Sequence, residues 1–150
     1  MSIKNSLITT ILTLISLGLF SQTVCAHGDV TPQAVDASEL PPLGEEKLQV
    51  NPYRGNEKAI EIGASGYNQN CARCHGLEAV SGGITPDLRK LNNLDDFSSV
   101  EESDEWFIYR VREGAVNEGR VYMPPFEGIL SQEAMWAIRS YLDTRPYTDN

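Results

Sequence analysis

The chain has 150 residues, of which 41% are hydrophobic, 8% aromatic and 22% charged, an ordinary composition for one globular domain. Against 12 Lys and Arg stand 21 Asp and Glu, for a formal net charge of -9. That balance argues against nucleic acid or an anionic membrane surface as the main partner, and the aromatics among scattered acids exclude wholesale disorder.

Residues 1–26 read as an export signal. Lys4 gives a short positive start, Leu7 to Phe20 is an apolar run, and Val24-Cys25-Ala26 places small residues at a cleavage site, so that the mature chain begins at His27. The apolar run is shorter than the ~20 residues that span a bilayer, which disfavours the alternative of an uncleaved anchor. The expected location is the periplasm, with no stable membrane insertion after cleavage. Cys25 leaves with the signal. Two cysteines then remain in an oxidising compartment, where a pair two residues apart must form a disulfide, a metal site or a covalent attachment.

Residues 27–56 carry Pro32, Pro41, Pro42 and Pro52 with little apolar periodicity, and are expected to form an extended N-terminal arm over a folded domain at 57–150. The spacing predicts a helix from about Asn56 to Cys71, with Ala59, Ile62, Gly63, Gly66 and Tyr67 on one face. Two glycines on that face weaken a helix, so a close backbone approach by another element is expected at Gly63. Residues 76–102 read as loop, with turn signals at Ser81-Gly82-Gly83 and Thr85-Pro86-Asp87 and a short helix around Pro86–Asn92. A helix is expected from about Ser103, as N-cap, to Glu113, with Phe107, Ile108 and Val111 inward and Gly114 as its stop. The last helix is capped by Ser131 and runs to about Leu142, with Ala134, Ala137, Ile138, Tyr141 and Leu142 on one face, Trp136 beside it, and Arg139 and Arg145 towards its negative end. Almost no sheet is expected, and the fold class is all-α.

Cys71-Ala72-Arg73-Cys74-His75 is a C-x-x-C-H run, the signature of c-type haem attachment. One helical turn brings two sulfurs to the two vinyl groups on one haem edge, and the next residue aims an imidazole at the iron. The rival readings fit less well. A thioredoxin-like C-x-x-C wants a preceding strand and a βαβ unit, and here a helix precedes it. A zinc site wants four ligands, and beyond these residues there is only His27, far upstream on the arm. A plain disulfide has no use for His75.

An electron carrier needs a sixth iron ligand. Met123 lies in Tyr122-Met123-Pro124-Pro125-Phe126, a non-helical segment stiffened by two prolines, which suits a thioether held against iron. Met135 sits inside the last helix, where methionine usually fills core space. His27 offers an N-terminal copper chelate as a lesser alternative, without a second histidine to support it. The expected cofactor is one covalent haem c with its iron, bound through Cys71, Cys74, His75 and Met123, with His75 and Met123 as the metal ligands. Arg110, Arg112 and Trp106 are candidate partners for the propionates.

These residues resemble class I cytochromes c over about residues 57–144. Gly63 and Tyr67 stand two turns and one turn before Cys71, as in that family's first helix, and Ile138 and Tyr141 look like their partners. The resemblance implies a few helices wrapped around one haem. It implies that the Pro86 carbonyl accepts the His75 Nδ1 proton and that Leu88 packs on the haem face, although Thr85 stands where the family usually has glycine. A narrower resemblance rests on the stretch His27 to Asp36, on Asn68 to His75 and on Arg120 to Phe126. It is to the periplasmic cytochromes c that accept electrons from quinoprotein (PQQ-dependent) ethanol dehydrogenases. It implies such a dehydrogenase as donor and an oxidase or other cytochrome as acceptor. Two alternatives stay open: a general respiratory cytochrome feeding a terminal oxidase, and a haem enzyme or gas sensor with an open iron position.

Overall fold

The computed structural model describes residues 31–83 and 85–148. The expected export signal, Cys25 and His27 lie outside the described residues. Among those described, the chain forms four α-helices, two 3₁₀ turns and one hairpin: α1 (Glu57–Asn70), α2 (Ala72–His75), turns at Leu77–Ala79 and Leu88–Asn92, α3 (Val100–Glu113), β1 (Ala115–Asn117), β2 (Arg120–Met123) and α4 (Gln132–Asp143). No helix among the described residues is long and apolar enough to cross a membrane.

The helix starts follow from local chemistry. Asn56 caps α1 by accepting from the Ala59 amide, and Ser131 caps α4 by accepting from the Ala134 amide. The start of α3 corrects the sequence expectation. Ser99, not Ser103, is its N-cap: the Ser99 hydroxyl accepts from the Glu102 amide, while Glu102 reaches back to the Ser98 amide at 2.7 Å. Ser99-Val100-Glu101-Glu102 is a serine-x-x-glutamate start signal. Ser103 is buried inside the helix, its hydroxyl donating to the Leu91 carbonyl at 2.6 Å.

α1 and α4 cross in close contact. Gly63 lies against the backbone of Ala137 and Ile138. Tyr67 and Tyr141 stack beside that crossing with ring centroids 5.2 Å apart. From α3, Phe107, Ile108 and Val111 complete the core, joined by Phe126 and Leu130 from the segment before α4.

α4 is buried on more faces than its expected stripe. Met135, Trp136, Arg139 and Ser140 are all enclosed. Arg139, expected as a dipole partner near the helix end, is 1% exposed and donates to Asp104 at 2.8 Å and to the Asn92 side-chain oxygen at 3.1 Å. Burial pulls its guanidinium below the usual arginine value, against the carboxylates of Asp143 and Asp104. Arg54 reaches Asp104 from the N-terminal segment at 2.6 Å.

The described part of that segment, residues 31–56, runs along the domain without helix or strand. Its backbone amides are taken up by core side chains: Gln33 by Asn70, Leu43 by Glu133, Leu48 by Gln132 and Asn51 by Asp104, all at 2.7–2.9 Å. The Leu43 amide holds the Glu133 carboxyl below its ordinary range.

One short hairpin is the only sheet among the described residues, in keeping with the expectation of almost no sheet. β1 and β2 pair antiparallel, with Val116 opposite Val121, and Glu118-Gly119 turn with positive φ at both residues. Both valines are exposed, so the strands lack the alternating burial by which a sequence announces a sheet.

Candidate functional site

The C-x-x-C-H residues occupy one tight turn. The Cys74 and His75 amides both donate to the Cys71 carbonyl, at 3.1 and 2.9 Å, and the Gly76 amide donates to Ala72 at 2.8 Å. Cys71 and Cys74 are not joined to each other in a disulfide. Desolvation, with Cys74 adding, pushes the Cys71 thiol up to about 12, so it is held neutral.

His75 is oriented by a backbone group. Its Nδ1 lies 3.0 Å from the Pro86 carbonyl oxygen. A carbonyl only accepts, so Nδ1 is the donor in this contact, and the Nδ1–H tautomer of imidazole has its free lone pair on Nε2. Donation from Nδ1 also raises the basicity of Nε2 as a metal ligand. Thr85, where the resembling family has glycine, donates its hydroxyl to the Cys74 carbonyl at 2.6 Å, and the Ser81 hydroxyl closes onto the Thr85 carbonyl. Asp87 caps the Leu88–Asn92 turn through the Arg89 amide and forks onto the Arg89 guanidinium at 2.7–3.3 Å. The Arg89 bonds hold the Asp87 carboxyl below its ordinary range.

Met123 ends β2, half-buried and packed on the core. Gly114, the end of α3 at φ +70°, makes its position possible: a Cβ there would stand 2.4 Å from the Met123 carbonyl oxygen and 2.8 Å from Pro125 N. Three residues after Met123, the Phe126 amide donates to the Val111 carbonyl at 3.0 Å. The segment 123–126 is thus bound to the end of α3. From sequence, Gly114 read only as a helix stop.

Tyr67, Phe107, Val111 and Phe126 are buried, and Leu88 is half-buried on the same core as Cys71, Ala72 and Met123. Met135 is enclosed in α4. Among the propionate candidates, Arg112 is buried and engaged by Gln132 at 3.0 Å, and Arg110 donates to the Gly114 carbonyl at 2.9 Å while its guanidinium lies over Trp106 and Tyr109. The hydroxyl of Tyr67 donates to the Gly76 carbonyl at 2.8 Å, a contact that no local pattern announces. Two cysteine sulfurs on one turn, an imidazole oriented through its Nδ1 and a packed thioether make a donor set that fits covalent haem and its iron.

The comparisons with known proteins agree. The model of the family described as cytochrome C oxidase, cbb3-type, subunit III matches residues 58–142. A cytochrome c550 of Pseudomonas aeruginosa is 55% identical over 94% of this chain and 95% of its own length. The quinohemoprotein alcohol dehydrogenase ADH-IIG of Pseudomonas putida is 37% identical over 64% of this chain, which spans 12% of that enzyme. The cbb3-type cytochrome c oxidase subunit FixP of Rhizobium meliloti is 32% identical over 73% of this chain and 38% of its own length. No solved structure gives a significant match. The chain belongs to the cytochrome c family, as an electron-transfer protein with covalently bound haem c and iron rather than an enzyme.

Proposed function

We propose that this chain is a periplasmic one-electron carrier whose haem is tied to Cys71 and Cys74 and ligated by His75 and Met123. The observation that carries the reading is the His75 Nδ1 contact to the Pro86 carbonyl, which leaves Nε2 available on the same turn as Cys71 and Cys74. Bound haem supplies a one-electron iron couple. With His75 and Met123 holding the iron, a thioether and an imidazole together would favour the reduced state and raise the potential. Tyr67, Phe107, Val111 and Phe126 exclude water and so disfavour the more positively charged oxidised state. Gly114 and Val111 fix the backbone around Met123, and Pro86 fixes the His75 ring, so both ligands keep their places in either state.

The donor we propose is a PQQ-dependent alcohol dehydrogenase, with electrons passed on to the respiratory chain. Support comes from the relatives: a segment similar to this chain forms a small part of a quinohemoprotein alcohol dehydrogenase, so a related module already serves that chemistry within one polypeptide. A second reading, a carrier donating directly to a terminal oxidase, is favoured by the likeness to an oxidase subunit. On either reading, residues 1–26 are removed on export, 27–56 form the arm and 57–150 the haem domain.

Mass spectrometry of the exported protein tests attachment and processing together. The expected mass is that of a chain beginning at His27 plus one haem, with the label on the peptide holding Cys71 and Cys74. A haem-free exported chain would overturn the reading.

A further inference from the structure

The loop between His75 and Asn92 meets Arg145 near both of its ends. The loop leaves His75 through a strained turn. Gly76 has φ +81°, and the non-glycine residues Glu78 and Ala79 have φ +56° and +63°. Side chains disfavour that conformation, so something must hold it. On the inner side the Tyr67 hydroxyl binds the Gly76 carbonyl. On the outer side the Glu78 carboxylate pairs with the Arg145 guanidinium and lies 3.5 Å from the Tyr141 hydroxyl. The Arg145 guanidinium sits over the Tyr141 ring, 4.8 Å from its centroid.

The far end of the loop returns to the same place. The Asn92 side-chain amide donates to the Leu142 carbonyl at 2.7 Å and to the Arg145 carbonyl at 2.9 Å. Arg145 therefore braces the start of the loop with its side chain and the end with its backbone. Between these anchors lies Pro86, whose carbonyl receives the His75 Nδ1 proton.

We propose that Arg145, acting through Glu78, is a positioning residue that keeps the Pro86 carbonyl aligned with the His75 imidazole. Releasing the Glu78 end lets the strained turn relax, and the loop carries Pro86 away from Nδ1. A weaker Nδ1 bond makes His75 a poorer donor and raises the reduction potential. The direction separates positioning from charge alone. Removing the Arg145 cation stabilises the more positive oxidised state and, without any positioning role, lowers the potential.

The inference rests on His75 being an iron ligand. The test uses the reduced holoprotein and the variants Arg145→Gln, Glu78→Gln and their double, with Lys58→Gln as control, since among the described residues Lys58 pairs only with the exposed Glu39 and Glu61. NMR follows solvent exchange of the His75 Nδ1 proton, and spectroelectrochemistry follows the potential. Each single variant is expected to speed that exchange about fivefold, the size set by losing one partly exposed ion pair. The Arg145→Gln potential is expected to rise, the double variant to go no further than either single one, and Lys58→Gln to match the parent. Unchanged exchange in both single variants, additive effects in the double, or a lowered Arg145→Gln potential would each overturn the proposal. Failure of the ligation reading is distinct, because it appears in the unmutated protein as a high-spin spectrum.

Discussion

A Cβ placed on Gly63 would stand 1.9 Å from the carbonyl oxygen of Ala137 and 2.4 Å from its carbonyl carbon. Both are backbone atoms of α4, which cannot swing aside as a side chain can. The α1–α4 crossing therefore depends on a missing side chain. Gly63→Ala is expected to destabilise the holoprotein by about 3 kcal/mol, the upper end of overpacking costs. A lower urea midpoint at unchanged slope is the measurement that checks it.

Asp104 and Arg139 form a buried pair at 2.8 Å, with Arg54 on the same carboxylate. Asp104→Asn leaves the Arg139 guanidinium enclosed without its first partner. The expected loss is about 3 kcal/mol, in the range for breaking a buried pair on one side. Chemical denaturation checks it, and Arg54→Gln, which removes the more exposed partner, is expected to cost less.

Asp87 gives a pH dependence. Its folded carboxyl titrates below the ordinary value because Arg89 binds the charged form. Its contribution to stability is thus present above the unfolded value of about 3.9 and is lost as pH falls through the lower folded value. Asp87→Asn is expected to be less stable than the parent at neutral pH. The two unfolding free energies should converge as pH drops below about 4. Parallel curves over that window would contradict the assignment.

The helices, the Gly63 crossing and the turn at Cys71–His75 were legible in the sequence, because each is written locally: apolar residues every three to four positions, Ser131 as a cap, and a motif with fixed spacing. What escaped depends on partners distant in the chain. Arg139 reads as a helix-end cation until Asp104 meets it across the fold. Ser103 reads as a cap because it precedes acids, although Ser99 and Glu102 close the true start. The hairpin escaped because Val116 and Val121 face outward, and Gly114 because its use is a contact with Met123 and Pro125.

The proposed donor makes a kinetic prediction. Reduction of this protein by a quinoprotein alcohol dehydrogenase, followed by stopped flow, is expected to be at least tenfold faster than reduction of an unrelated cytochrome of similar potential, a difference of about 1.4 kcal/mol in barrier. The rate should fall with added salt, since the acidic surface steers association. Equal rates for the two cytochromes would remove the dehydrogenase as the specific donor and favour the oxidase-linked reading.

The central claim, iron held between His75 and Met123, is tested most directly by the reduction potential of Met123→Ala. The potential is expected to fall by a tenth or more of the roughly 0.8 V span that axial ligation covers, with loss of the far-red methionine–iron band and gain of cyanide binding in the oxidised protein. A potential and a ligand-exchange rate unchanged from the parent would contradict the claim.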